Sequence, residues 1–251
     1  STVYPGMEAS DISALLEETW EQPWQYEPWV GFKEKPRNGT YVNISNDGFR
    51  YSNIKYQILD SSGINIFVFG GSTTFGYGVD DESTIPSHLQ KHLSVRYPNK
   101  NLKVFNFGRA YYYSTQELTL LLQLIRNNRI PAIAIFIDGL NEGPEVPFYT
   151  KQMSRMFELH NNKRHKLVTD FMVTPSLKRV VRKLTSYVAQ PPEKERIGRD
   201  PVQICETYLS NKEIIKALAE KYNFHAYFYI QPVSGYRNNF HNQKFYEDTP
   251  E

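Results

Sequence analysis

The sequence predicts an α/β domain built on a parallel sheet, and three observations carry that prediction. Short apolar runs at 64–69, 103–107 and 132–137 recur along the chain. Each run meets glycine at or just beyond its end, at Gly70-Gly71, Gly108 and Gly139. Between the runs lie segments whose apolar residues fall at helical spacing. Continuous apolar runs bounded by turn signals mark strands buried on both faces, and their alternation with helices marks parallel βαβ units.

Composition sets the bounds. The chain has 251 residues, enough for one large α/β domain, and its 40% apolar and 22% charged content is ordinary for a globular protein. Aromatics reach 14%, with 18 tyrosines, which suits a site that stacks on planar or sugar-like ligands. A formal charge of +2 asks for neither nucleic acid nor an anionic membrane as partner. The single cysteine, Cys205, excludes an internal disulfide. No transmembrane run or signal peptide stands in these residues, and the first residue is Ser1. The expectation is an exported or membrane-anchored bacterial protein whose leading segment has been removed.

Taken in order, residues 8–20 predict an amphipathic helix around Ile12, Leu15, Leu16 and Trp20, capped by Ser10 or Asp11. Residues 22–56 are rich in Pro, Trp and Tyr, and Asn46-Asp47-Gly48 turns into a short strand at 49–51. Residues 1–60 are therefore read as an extension packed on the main domain at 61–251. Two sequons, at Asn38 and Asn43, fall within it. After the first buried strand, Ile85, Leu89, Leu93 and Tyr97 set a helix over 82–97. The second strand follows, and then Ser114 with Glu117 gives a capping-box start to a helix that faces the sheet with Leu118, Leu121, Leu122 and Ile125. The third strand ends in Asp138-Gly139-Leu140-Asn141-Glu142. Residues 143–200 interrupt the rhythm with prolines and basic helical patches at 153–159 and 177–188, and read as an insertion beside the strand ends. Lys178, Arg179, Arg182 and Lys183 there are read as a solvated face in preference to a nucleic-acid patch. A long helix over 201–222 leads to a fourth strand at 226–230.

The stretch 64–78, INIFVFGGSTTFGYG, organises the rest. Its glycines turn the chain at the carboxyl end of a buried strand, where open α/β sheets bind their ligands. Ser72 sits on that turn. A phosphate loop is excluded because no Lys-Ser/Thr follows the last glycine, and neither G-x-G-x-x-G nor G-x-S-x-G is present. Ser72 then reads either as a nucleophile or as a cap for the next helix. Parallel strands share their carboxyl ends, so Ser72, Gly108 and Asn141 are expected on one sheet edge. The N–H groups of Ser72 and Gly108 and the amide of Asn141 would be three donors suited to an oxyanion.

On these residues the sequence resembles the SGNH/GDSL hydrolase superfamily. The G-D-S block is matched by Gly70-Gly71-Ser72-Thr73-Thr74-Phe75-Gly76, the second-block glycine by Gly108, and G-x-N-D by Gly139-Leu140-Asn141-Glu142. Gly71 and Glu142 each stand where the superfamily has Asp. The match covers 64–142, with weaker continuity to about residue 235. The resemblance implies a three-layer α/β/α sandwich with flavodoxin-like topology. It also implies a serine esterase acting through an acyl-enzyme on small O-acyl, chiefly O-acetyl, esters, without metal or organic cofactor. Ser72 would be the nucleophile, and Ser72, Gly108 and Asn141 the oxyanion donors. Carbohydrate esters are a common substrate class of the superfamily, and Tyr111 and Tyr112 would then stack on sugar or else pack under the insertion.

The superfamily's late D-x-x-H, which supplies the base, is absent from these residues. The first expectation is that the chain stops before its base; the lesser candidate is His241, with Asn238 in place of the Asp. An O-acyltransferase and a non-catalytic glycan- or partner-binding module are the alternatives. A nucleotide-binding domain is disfavoured by the missing phosphate fingerprints. Oligomeric state is not legible.

Overall fold

The computed structural model describes residues 3–52, 57–59, 63–142 and 200–231. Backbone contacts divide the chain into two compact units, Ser1–Glu142 with Cys205–Glu251, and Gly143–Ile204. The elements that position the site belong to the first. The helical patches and basic cluster expected at 153–188 lie outside the described residues.

The first unit opens with α1 (Ala9–Trp20), followed by two antiparallel pairs, β1 (Trp24–Glu27) with β2 (Gly31–Glu34) and β3 (Arg37–Asn38) with β4 (Asn43–Ile44). The α1 cap is Glu8 with no side-chain bond, not Ser10 or Asp11 as expected. What anchors α1 is Glu18, whose carboxylate accepts the N–H groups of Thr40, Tyr41 and Val42 at 2.9, 2.8 and 2.8 Å. The turn expected at Gly48 is present, with φ +85° and a Gly48 N–H bond to Ser45 O at 3.1 Å. Residues 49–51 do not form a strand of their own. Instead Arg50 bridges Ile44 on one side and Asn106 on the other, carrying the extension onto the sheet edge. Asn43 is buried and its amide is held by Asp81 at 2.7 Å, so that sequon is built into the fold.

The chain then forms β5 (Ile64–Gly70), α2 (Ser72–Phe75), a 3-10 turn (Asp81–Ser83), α3 (Ile85–Arg96), β6 (Leu102–Asn106), α4 (Ser114–Arg126), β7 (Ile133–Asp138), α5 (Pro201–Tyr222) and β8 (His225–Ile230). The four long strands are all parallel, in the order β6-β5-β7-β8. This is the α/β class expected from the sequence. Alternation along each strand sorts side chains between two faces. Ile66, Val68 and Val104 bury one face under Leu89 and Leu93 of α3. The other face is aromatic: Phe69 stacks on Phe136 at 4.9 Å, and Phe136 on Phe228 at 5.2 Å, across directly paired positions. Lys212 of α5 lies over the Phe228 ring at 5.2 Å, which places α5 on that aromatic face.

Two helices depart from expectation in which residues they bury. In α3, Ile85 and Tyr97 are exposed, and Gln90 is buried in their stead. Gln90 accepts from Val104 N–H at 2.8 Å and donates to Leu102 O at 3.0 Å, satisfying backbone groups of the edge strand β6 that no neighbouring strand would pair. In α4 the cap position is Tyr113, and the expected Ser114–Glu117 capping box does not form. Leu122 is exposed, while Leu120 and Leu124 are buried beside Leu118, Leu121 and Ile125.

Candidate active site

From β5 the chain passes first to β6 on one side and later to β7 on the other, so the loops after β5 and β7 diverge. That divergence is a topological switch point, where open α/β sheets leave a crevice. A small, solvent-open cleft lies there, lined by Gly71, Ser72, Tyr112, Asp138, Asn141 and Glu142 among others. Ser72 is the first residue of α2, directly after β5, and Asn141 sits in the 3-10 turn Leu140–Glu142 after β7. Two of the three residues singled out in the sequence are thus brought into one cleft.

Asn141 is held closely. Its Nδ2 donates to Tyr112 O at 2.6 Å, which leaves the second amide hydrogen for another acceptor. A Cβ added at Gly71 would lie 2.4 Å from that same Nδ2. Glycine at 71 is therefore what allows the Asn141 amide to sit over the first turn of α2. An Asp at this position, as the superfamily pattern has, would displace Asn141 from where it stands.

Gly108 corrects the expectation made for it. It is buried, lies outside the cleft lining, and its N–H donates to Asn106 Oδ1 at 3.0 Å. A Cβ at Gly108 would meet Phe75 N at 2.4 Å and Thr74 C at 2.7 Å. Its glycine identity is explained by close approach to α2, not by an oxyanion. Asn106 completes this contact, donating Nδ2 to Thr74 O at 3.0 Å and to Phe75 O at 3.2 Å. Together these two residues brace the helix that carries Ser72.

The two tyrosines separate. Tyr112 is 1% exposed, accepts from Arg109 Nη1 at 3.0 Å and donates its hydroxyl to Phe32 O. Its ring cannot stack on a ligand, which corrects that expectation; only its backbone carbonyl serves the site. Tyr111 turns the other way. Its φ of +60° is uncommon for a tyrosine, and its ring is 45% exposed and meets Trp24 at 5.8 Å. Of the histidines, His241, His160 and His165 lie outside the described residues. His88 and His92 are exposed on α3, and His225 begins β8 at the end of the sheet away from the cleft.

Sequence reading did not find the acidic group at the base of the cleft. Glu117 of α4 is 0% exposed and its carboxyl hydrogen-bonds Asp138, which also receives the Tyr208 hydroxyl from α5. Glu142 accepts the Ser114 N–H, and Asn211 of α5 donates to Ser114 Oγ at 2.8 Å and Thr115 Oγ1 at 2.9 Å. Burial, with repulsion from Asp138 and Glu142 adding to it, holds the Glu117 carboxyl well above the usual carboxylate range. Burial also pushes Asp138 up to about 6. With both carboxyls raised by burial, the two share a proton, and the pair ties α4 to the end of β7. The only signal in the sequence was Asp138 closing an apolar run. Among the described residues no group of three or more His, Cys, Asp or Glu side chains is disposed to hold a metal ion, and no helix is long and apolar enough to cross a membrane.

No protein-family model matches the chain, and no curated protein matches it. Among solved structures it is similar to TesA, at 25% identity over 32% of this chain and 42% of that one, with a TM-score of 0.29. It is similar to AlinE4, an SGNH-hydrolase family esterase, at 18% identity over 66% of this chain and 76% of AlinE4, with a TM-score of 0.29. It is also similar to a form of Axe2, an acetyl xylan esterase from Geobacillus stearothermophilus, at 15% identity over 67% of this chain and 78% of Axe2, with a TM-score of 0.28. The chain thus spans less than half of TesA and about three quarters of the other two. With TM-scores this low, the placing of the site stands on this chain's own strand order and cleft.

Proposed function

We propose that the protein is a serine esterase that removes small acyl groups, acetyl foremost, from oxygen esters of carbohydrate. The observation that carries this reading is the meeting of Ser72 and Asn141 in one open cleft at the switch point, with Gly71 making room for the amide. Ser72 Oγ attacks the ester carbonyl as its proton passes to a base. The base then gives that proton to the departing sugar oxygen, which leaves an acyl-serine. Water, deprotonated by the same base, releases the acid and restores Ser72. The oxyanion formed in each step takes hydrogen bonds from the Ser72 N–H and from the amide hydrogen of Asn141 that Tyr112 does not use. Removal of one such donor usually costs about 2.7–4 kcal/mol of transition-state stabilisation. His241 is the base this reading assigns.

The test is hydrolysis of p-nitrophenyl acetate by the native chain and by Ser72→Ala, with labelling by a fluorophosphonate located by mass spectrometry. Loss of turnover in the variant and label on Ser72 are expected. Equal turnover in the two proteins would remove Ser72 from the mechanism. One observation favours a second reading, a glycan-binding module without catalysis. Gly108 N–H is already bonded to Asn106, so two expected oxyanion donors remain where three were anticipated. A native protein that neither hydrolyses esters nor takes the label, yet binds a glycan, would establish that reading. Transfer of the acyl group to a second sugar in place of water uses the same acyl-serine and is read in the same assay as acylated product.

A further inference from the structure

Between residues 4 and 52, every exposed large apolar side chain is aromatic: Trp20, Trp24, Tyr26 and Trp29. Two of these join residues of the main sheet's loops in a continuous ribbon. The Trp20 ring meets Tyr77 edge-on at 4.9 Å. The Trp24 indole N–H hydrogen-bonds the Tyr77 hydroxyl. Trp24 in turn meets Tyr111 edge-on at 5.8 Å. The ribbon rests on the buried layer that docks the extension: Trp24 packs on Phe32 at 5.0 Å, and Phe32 on Tyr112 at 5.4 Å, with Arg109 bonded to both Phe32 O and Tyr112 Oη. Trp20, Trp24 and Tyr111 nonetheless keep 64%, 36% and 45% of their surface in solvent, while Tyr77 is half-buried against Phe75. Exposed, contiguous large apolar groups of this kind mark binding surfaces.

Two members of the ribbon, Tyr77 and Tyr111, are fastened to the loops that carry the site. Tyr77 N–H donates to Ser72 O at 3.2 Å, and Tyr111 precedes Tyr112, whose carbonyl holds Asn141. Tyr111 takes its place only by adopting a φ of +60°, a conformation that an unconstrained tyrosine avoids. The ribbon carries no aliphatic side chain, and its rings carry hydroxyl and indole groups at their edges, the Trp24 indole N–H and the Tyr77 hydroxyl bonded to each other, so the surface is amphipathic. A sugar ring has the complementary character, with apolar C–H faces and a hydroxyl rim.

We propose that Trp20, Tyr77, Trp24 and Tyr111 form a stacking surface for successive sugar rings of an acylated polysaccharide, leading into the Ser72 cleft. The inference rests on the carbohydrate-ester reading above and assigns the N-terminal extension a part in substrate binding. A bound chain lies across the rings and presents one O-acyl group to Ser72.

Binding is measured on the full chain carrying Ser72→Ala, by calorimetry with soluble acetylated xylan, acetylated pectin and partly acetylated chitosan as probes. At least one probe is expected to bind. Added to that background, Trp24→Ala and Tyr111→Asn are each expected to weaken binding by about tenfold or more, as the loss of an aromatic anchor does. Asn is chosen at 111 because it tolerates positive φ. Trp24→Phe should retain most of the affinity, and its thermal midpoint shows that the fold persists if Trp24→Ala does not fold. Tyr97→Ala, an exposed aromatic at the opposite end of the sheet, should bind as the background does. Failure of all three probes to bind, or binding that survives both substitutions, would overturn the proposal. So would a dimer that dissociates on Trp24→Phe or Trp24→Ala, because the ribbon would then be an interface between copies. Absence of ester hydrolysis by the native protein is a separate result: it removes the esterase reading and leaves these affinities to be judged by themselves.

Discussion

Arg50→Met removes a guanidinium that is 0% exposed and keeps most of the aliphatic volume. Arg50 Nε bonds Asp81 Oδ1 at 2.7 Å, Nη1 bonds Phe75 O at 3.1 Å and Gly76 O at 2.8 Å, and Nη2 bonds Val79 O at 2.7 Å. Breaking a buried ion pair by deleting one partner costs roughly 3–5 kcal/mol, because the other charge is left without compensation. Here Asp81 retains Asn43 through two bonds, at 3.2 and 2.7 Å, and Phe75 O retains Asn106, which place the cost at the lower end. A loss of about 3 kcal/mol is a large share of the 5–15 kcal/mol typical of a folded domain. For a chain of this size it corresponds to a fall of about 6–12 °C in Tm. The assay is urea denaturation of native and Arg50→Met protein, read by tryptophan fluorescence. A change in unfolding free energy below about 1 kcal/mol at constant m-value would refute the view that Arg50 holds the extension and the Ser72 helix together. Arg50→Lys should fall between the two, since an ammonium keeps the charge but cannot reach four acceptors in a fork.

Three further outcomes are expected. Gly71→Ala places a Cβ 2.4 Å from Asn141 Nδ2, so kcat for p-nitrophenyl acetate should drop by about 10²–10³ with KM little changed; an unaltered kcat would mean that Asn141 contributes nothing to the transition state. Glu117 and Asp138 bind their protons more tightly in the folded than in the unfolded chain, so the stability they confer is full below about pH 4 and is lost as pH rises through their raised native values, about 6 for Asp138. Glu117→Gln keeps the hydrogen bond without the proton and should gain on the native protein as pH rises from 5 to 8, at a rate approaching about 1.4 kcal/mol per pH unit per proton; parallel curves would deny the shared proton. His241→Ala should reduce ester hydrolysis by about 10²–10⁴, and activity that withstands replacement of each of the six histidines would exclude a serine–histidine mechanism.

The order of strands and helices was legible in the sequence because it follows from local pattern. Apolar runs such as 64–69 and 132–137, short and closed by glycine, read as strands of a covered sheet, and α5 begins and ends where its periodicity does, at Pro201 and Tyr222. The placing of Ser72 on the first turn was legible for the same reason, since glycines after a buried strand leave few other paths. Gly108 was legible as a glycine but not in its purpose: whether a missing Cβ makes room for a ligand or for a neighbouring helix depends on which segment arrives beside it. Here Phe75 arrives, from more than thirty residues earlier in the chain.

Charge misled most. Arg50, Arg109 and Glu117 are of types that ordinarily face water, and nothing in their neighbours in sequence marks them as buried. Each is stabilised inside by partners that the fold brings to it: Asp81 and four backbone carbonyls for Arg50, Tyr112 and Phe32 O for Arg109, Asp138 for Glu117. The tyrosines divide on the same principle. Tyr111 and Tyr112 are identical and adjacent, yet one faces solvent beside Trp24 and the other is sealed under Phe32. By itself, then, the sequence determined the fold class and the turn that carries Ser72, because strand burial and glycine turns are local properties. Only the tertiary structure decided which polar groups share the interior, because burial of a charge or a hydroxyl depends on partners that the folded chain alone brings within hydrogen-bonding distance.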